Sequence, residues 1–262
     1  MTCADERVFH IYVTTRMKRH QVRILWESLP ISLPSLLEQS IHTFWQTLPK
    51  THIFNGTVAR LDTWEWSSDR RGLHLYLRPS EYRTLLYSNA HVSEICAAWG
   101  RRYLANVLGI SAVLLSADKH IVFMKRSQDV GEFPGCFDVF GGHIDVSASH
   151  NAPCVFAAME QELDEEVNLA PADYDLELIG LLKSVPNQKP ELVFLATSLL
   201  STSEILKRAQ RARDRHEYSD FHWVSDGHEL QQFLTTRKEQ FSPSAFGSLC
   251  VFEKIDKERV GN

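Results

Sequence analysis

Gln161-Glu162-Leu163-Asp164-Glu165-Glu166-Val167-Asn168-Leu169, downstream of the pair Gly141-Gly142, decides how this chain is read. On a helix, residues three and four apart are neighbours, so Glu162, Glu165 and Glu166 share an arc of roughly 100°. Phe156, Met159, Leu163 and Val167 occupy the adjoining arc, which gives one stripe to bury and one acidic stripe. Asn151 or His150 ahead of Pro153 marks the start, and Asn168 before Pro171 marks the exit, since Asn tolerates a left-handed conformation. A solvated helix face costs little, because exposed like charges at this spacing repel by only about 0.2–0.5 kcal/mol per pair. In a partly buried cleft, two charges roughly 6 Å apart repel by about 3 kcal/mol, and a cation becomes necessary. Oxygen ligands suit Mg²⁺, with Mn²⁺ as the alternative, bridging to substrate phosphates.

Phe133-Pro134-Gly135, Asp138-Val139-Phe140-Gly141-Gly142-His143-Ile144-Asp145, then Gln161-Glu162-Leu163 and Glu165-Glu166, resemble a Nudix box. The resemblance implies that Glu162, Glu165 and Glu166 bind metal with the Gly141 carbonyl, and that the reaction is hydrolysis of a nucleoside diphosphate linked to another moiety. Gln161 stands at the box arginine and Asn168 at its terminal glycine. The loop from Gly142 to Gln161 is longer than usual and lacks an early glutamate. Tyr82-Arg83-Thr84 with Ser88-Asn89 extends the likeness to the UDP-glucose diphosphatase branch, which carries Gln and Asn at the same two box positions. That branch implies cleavage of UDP-glucose or UDP-galactose to UMP and sugar 1-phosphate, with Tyr82, Arg83 and Asn89 on the substrate.

At 262 residues the chain is long enough for a substantial core, and its net charge of −5 weighs against a nucleic-acid surface. Cys3, Cys96, Cys136, Cys154 and Cys250 are odd in number and lack metal-finger or disulfide-framework spacing, so they read as reduced thiols of a cytoplasmic protein. The first residues show no apolar core behind a basic start and no apolar run approaches membrane length, so the expected partner is a small molecule rather than a membrane or nucleic acid. Nothing in the pattern bears on oligomeric state.

Periodicity predicts strands over Val8–Thr14 and Gln21–Trp26 around a solvated hairpin turn of Arg16, Lys18, Arg19, His20 and Arg23, then a helix over Leu36–Leu48. A hairpin over Thr57–Trp66 and Leu73–Leu77 and helices over Ser80–Tyr87 and His91–Asn106 follow. Strands Ser111–Leu115, Ile121–Met124, Leu176–Leu182 and Leu192–Ser198 alternate with helical candidates Glu204–Arg213, Asp226–Leu234 and Ser242–Phe252. The expected class is α/β: a Nudix-type α/β/α sandwich with a mixed sheet over residues 107–262, preceded by an N-terminal α+β extension over residues 1–106.

Outside the helix, Glu217 and Glu191 are the candidates for a general base beside Glu162 and Glu166. Arg126 ends a strand directed at the glycine turn, where its fork matches diphosphate oxygens. Lys189 is a further phosphate candidate, and His143 reads as structural. Phe54, Trp64 and Trp66 offer stacking surface for uracil or belong to the core. Two alternatives stand beside the UDP-sugar reading: a hydrolase of ADP-ribose, a dinucleotide or a coenzyme A species, and a non-catalytic nucleotide-sugar sensor.

Overall fold

The computed structural model describes residues 8–49, 53–130, 132–146 and 151–260. In chain order the strands are β1 (Phe9–Met17), β2 (Val22–Trp26), β3 (Thr57–Trp66), β4 (Leu73–Glu81), β5 (Gly109–Leu115), β6 (His120–Arg126), β7 (Phe137–Asp138), β8 (Phe140–His143), β9 (Tyr174–Ser184), β10 (Pro190–Ser198) and β11 (Tyr218–Ser225). The helices are α1 (Ser35–Thr47), α2 (Tyr82–Ala90), α3 (Val92–Ala98), α4 (Val155–Val167), α5 (Thr202–Ala209), α6 (His228–Arg237) and α7 (Pro243–Val260).

Eight strands form a mixed sheet in the order β1-β9-β10-β5-β6-β11, with β7 beside β6 and β8 beside β5. The β10–β5 pair is parallel and its neighbours are antiparallel. Every residue of β5 is buried. Alternation then divides its side chains: Ile110, Ala112 and Leu114 enter one core with Phe156, Met159 and Leu163 of α4. Val113 and Leu115 enter a second core on the opposite face, with Leu230 of α6 and Leu249 of α7. Two helical layers around a central sheet make the α/β sandwich expected from sequence.

The segment before β5 is α+β, with the three-stranded sheet β2-β4-β3 and helices α1 to α3. Its β3–β4 hairpin forms as expected, closed by Ser67 N–H on the Gly72 carbonyl at 2.8 Å. β1 lies before the expected division at residue 107, yet it is the outer strand of the main sheet, paired with β9. The basic turn is therefore not a hairpin turn: β1 joins β9 and β2 runs parallel to β4. The turn's cations meet acidic partners in the main domain, Arg16 on Glu177 at 2.7 Å, Lys18 on Asp175 at 2.6 Å, and Arg19 on Glu160.

Other boundaries move for local reasons. The helix expected to continue to Asn106 stops at Ala98, because Gly100 at φ +94° turns the chain into a short 3₁₀ segment, Arg101–Tyr103. α4 begins after Cys154 rather than at Asn151; His150 lies outside the described residues. α4 ends as expected, with Asn168 left-handed at φ 55° and Leu169 N–H returning to the Leu163 carbonyl at 3.2 Å. Cys96, Cys136 and Cys154 are free thiols, but Cys250 is disulfide-bonded, so the reading of all five as reduced fails there; Cys3 lies outside the described residues. Among the described residues no helix is long and apolar enough to cross a membrane.

Candidate active site

The glycine turn and α4 meet because β8 delivers Gly141 and Gly142 against the Glu162–Glu166 edge of the helix. Gly141 adopts φ +149°, and a Cβ there would strike the backbone of Ile110 and Ser111. A Cβ on Gly142 would overlap the Glu162 carboxylate, so the second glycine is the space into which that carboxylate fits. Glu166, one turn on, accepts the Gly141 N–H at 2.7 Å and is buried.

Burial raises the Glu162 carboxyl to about 7, with the charges of Glu217, Asp145 and Asp214 adding to the shift. Burial likewise pushes Glu166 well up, reinforced by Glu162 and Glu217. Glu217, at the end of the 3₁₀ turn Arg215–Glu217, thus shares the electrostatic field of both helix glutamates. Glu165 faces elsewhere: it pairs with Arg213 and accepts from Gln161 Nε2 at 2.7 Å. Gln161 therefore anchors Glu165, a use that the box arginine's absence did not suggest. Because Glu165 is engaged there, the expected trio of Glu162, Glu165 and Glu166 is not gathered, and among the described residues no three His, Cys, Asp or Glu side chains form a metal-ready group as they stand. The donor set still fits a hard divalent cation, since the carboxylates of Glu162 and Glu166 repel one another beside a glycine cradle, and all the donors are oxygen.

Arg126 stands between these carboxylates and a second polar group. Its Nε donates to the Glu132 carbonyl at 3.0 Å and its Nη1 to Asp138 Oδ2 at 3.1 Å. Burial works to lower its pKa, but Asp138, Glu166, Glu217 and Glu132 outweigh it and the net shift is upward. Asp138 is buried and also accepts from Ser242 Oγ at 2.8 Å. Glu191 faces away from the helix glutamates: it accepts from Ser111 Oγ and pairs with Lys189 at 3.5 Å. Burial lowers the Lys189 pKa, but Glu191, Glu132 and Asp138 outweigh it, so this lysine is held charged inside the protein rather than on an exposed loop.

Tyr82 and Asn89 are two helical turns apart on α2 and share a face. Tyr82 meets the His143 ring edge-on at 6.0 Å, and Asn89 Nδ2 donates to Glu132 Oε1 at 3.1 Å. His143 is pushed down to about 3 by burial and then by Lys189, so its imidazole is neutral. Arg83, rotated about 100° from Tyr82 on the helix, pairs instead with Glu81 and lines a separate cavity of about 330 Å³ with Arg60 and Tyr103. Trp64 and Trp66 sit at the far end of β3 from Val58, which bridges Asp145. Six to eight strand residues amount to roughly 20–26 Å, so these two aromatics do not reach the glycine turn; they pack with one another and with Tyr12. Phe54 is 83% exposed, beside Asn55, whose Oδ1 accepts the Arg83 N–H at 3.0 Å. Sequence reasoning passed over Glu132, Arg213 and Asp214. The signal for Glu132 was its place directly before Phe133-Pro134-Gly135; nothing local pointed to Arg213.

No family model matches the chain. The human protein named uridine diphosphate glucose pyrophosphatase NUDT22 is 26% identical over 265 residues, covering 86% of this chain and 84% of that protein. The mouse protein of the same name is 34% identical over 158 residues, covering 50% of this chain and 51% of that protein. The chain is thus similar to proteins named as Nudix hydrolases, a plant relative from Arabidopsis thaliana named Nudix hydrolase 9 among them, at 25% identity over 72% of each chain. A solved mutT/nudix family protein from Listeria innocua is 19% identical with a TM-score of 0.42, covering 60% of this chain and 98% of that one. The two positions that depart from the Nudix box have local partners here: Gln161 holds Glu165, and Asn168 closes α4.

Proposed function

We propose that this Nudix enzyme hydrolyses the diphosphate of UDP-sugars, UDP-glucose and UDP-galactose among them, to UMP and sugar 1-phosphate, with Mg²⁺ or Mn²⁺ as cofactor. The observation that carries this reading is the convergence of Glu162, Glu166 and Glu217 beside the Gly141-Gly142 turn, with Arg126 next to them. The human and mouse proteins named for uridine diphosphate glucose resemble this chain over 86% and 50% of its length, which supports the choice of substrate class.

Glu162, Glu166 and the Gly141 carbonyl would hold the cation, with Glu165 joining them by exchanging Arg213 for it. When bound, a divalent ion neutralises the diphosphate and lowers the pKa of water. Arg126, fixed by Asp138 and by the Glu132 carbonyl, orients the diphosphate through the donors it does not spend on them. Glu217 takes the proton of the attacking water, a role for which Glu191 is unsuited because Ser111 and Lys189 engage it. Tyr82 and Asn89 contact substrate, and exposed Phe54 stacks on the base. Arg83 keeps its assignment to substrate only if the ligand extends over the N-terminal cavity.

Glu166→Gln preserves the shape of the helix edge and is expected to abolish turnover while circular dichroism and melting show a folded chain. Near-normal turnover in Glu166→Gln and Glu162→Gln alike would remove the catalytic assignment.

A further inference from the structure

Beyond Arg126 lies a pocket of about 240 Å³ lined by Asn89, Glu132, Phe133, Pro186, Asn187 and Pro243. Drug-sized ligands occupy roughly 300–1,000 Å³, so this volume suits one ring and not a whole nucleotide. Its polar wall is incompletely satisfied. Glu132 Oε1 accepts from Asn89, whereas Oε2 makes no hydrogen bond among the described residues. The nearest cation-forming group to Oε2 is His143 Nε2 at 3.9 Å, and that buried nitrogen has no partner either. His143 lies behind this wall and does not line the pocket, so Glu132 and the Asn89 amide are the polar groups it presents, and a hydroxyl, which donates and accepts at once, serves both. Lys189, His143, Arg126 and Asn89 outweigh the burial that would raise the Glu132 carboxyl, and hold it below its ordinary value. Glu132 thus offers carboxylate acceptors to donor groups such as hydroxyls.

The rest of the lining includes the apolar residues Phe133, Pro186 and Pro243. Phe133 is 39% exposed and has φ +48°, a left-handed conformation that is uncommon for a bulky residue. Such backbone persists where the surrounding structure enforces it, and it clusters at ligand sites. A pyranose has the matching character, with hydroxyls on its rim and C–H groups on its faces. The position is also right: Arg126 donates to the Glu132 carbonyl on one side and lies in the field of Glu166 and Glu217 on the other.

We infer that the pocket of Glu132, Asn89 and Phe133 is the hexose subsite, where the carboxylate and amide receive sugar hydroxyls and the phenyl ring covers a sugar face. This assignment rests on the hydrolysis of nucleoside diphosphate sugars proposed above. Glu132 is a specificity residue, distinct from the groups that carry the hydrolysis.

The test compares UDP-glucose with the methyl ester of UDP, which keeps the uridine and diphosphate and lacks the hexose, in the full chain and in Glu132→Gln and Phe133→Ala. In Glu132→Gln, the ratio of kcat/KM for UDP-glucose to that for the methyl ester is expected to fall roughly ten- to a hundredfold, the effect of weakening a charge-assisted hydrogen bond in a desolvated site. Phe133→Ala lowers the same ratio by about two- to tenfold. An unchanged ratio in both variants, or equal loss on both substrates, overturns the subsite while leaving the reaction intact. Altered preference among UDP-, ADP- and GDP-glucose with that ratio preserved would place the base in the pocket and also overturn it. If the wild-type chain hydrolyses no substrate, the proposed reaction fails and calorimetry with UDP-glucose decides the subsite. Weaker binding by Glu132→Gln than by wild type then upholds it, and equal or absent binding overturns it.

Discussion

Glu162→Gln is expected to make the metal-free protein more stable, and the gain should depend on pH. The folded-state carboxyl lies at about 7 against an ordinary 4.5, because burial and the neighbouring acids disfavour its charge. At about 1.4 kcal/mol for each tenfold change in ionisation, this displacement corresponds to about 3 kcal/mol. The sign follows from linkage: an acid whose pKa is raised by folding destabilises the fold fully above the folded value and not at all below the unfolded one. The native protein should therefore lose stability as the pH rises from 4.5 to 7, and Glu162→Gln should lose less. At pH 8 in chelator the variant should melt roughly 6–12 °C higher, with the difference vanishing near pH 4.5. Saturating Mg²⁺ should reverse the order, since binding at a thousand times Kd contributes about 4.1 kcal/mol to wild type alone. Differential scanning fluorimetry across pH, with and without Mg²⁺, reads all of this. A variant that is no more stable than wild type at pH 8 in chelator would refute the claim that this carboxylate is held at a cost.

Other substitutions probe the supports of the site. Arg126→Ala leaves Asp138, 12% exposed, without its cation; it should cost about 3 kcal/mol in urea unfolding and lower kcat/KM, and Arg126→Lys should not restore the two-pronged contact. Asn168→Gly should leave stability within about 0.5 kcal/mol, whereas Asn168→Ala should cost about 1 kcal/mol, because only the first tolerates φ 55° freely. Equal melting temperatures for those two variants would contradict the left-handed exit.

Much of α4 was legible because its pattern is local. Phe156, Met159, Leu163 and Val167 recur at helical spacing, and Asn168 carries its own conformational preference. β5 and β10 were legible as apolar runs. Pairing was not: alternation over β1 and β2 says that each is a strand and not that β1 joins β9 while β2 joins β4, since the choice is made by side chains more than 50 residues away. The site shows the same division. Glu162 and Glu166 could be placed against Gly141-Gly142 by a motif, but Glu165 is drawn to Arg213 across 48 positions, and no periodicity announces that pair. Tyr82 and Asn89 share a helical face, and Arg83 was separated from them by the same 100° step that the sequence already contained.

The central claim is tested most directly by identifying the products after incubating the purified chain with UDP-glucose, with and without Mg²⁺, beside ADP-ribose, ADP-glucose and GDP-mannose. The account expects UMP and glucose 1-phosphate in equal amounts, dependent on the metal and formed from the uridine substrate in preference to the others. Absence of both products at saturating Mg²⁺ from a folded, UDP-glucose-binding chain would contradict it and leave a nucleotide-sugar sensor in its place.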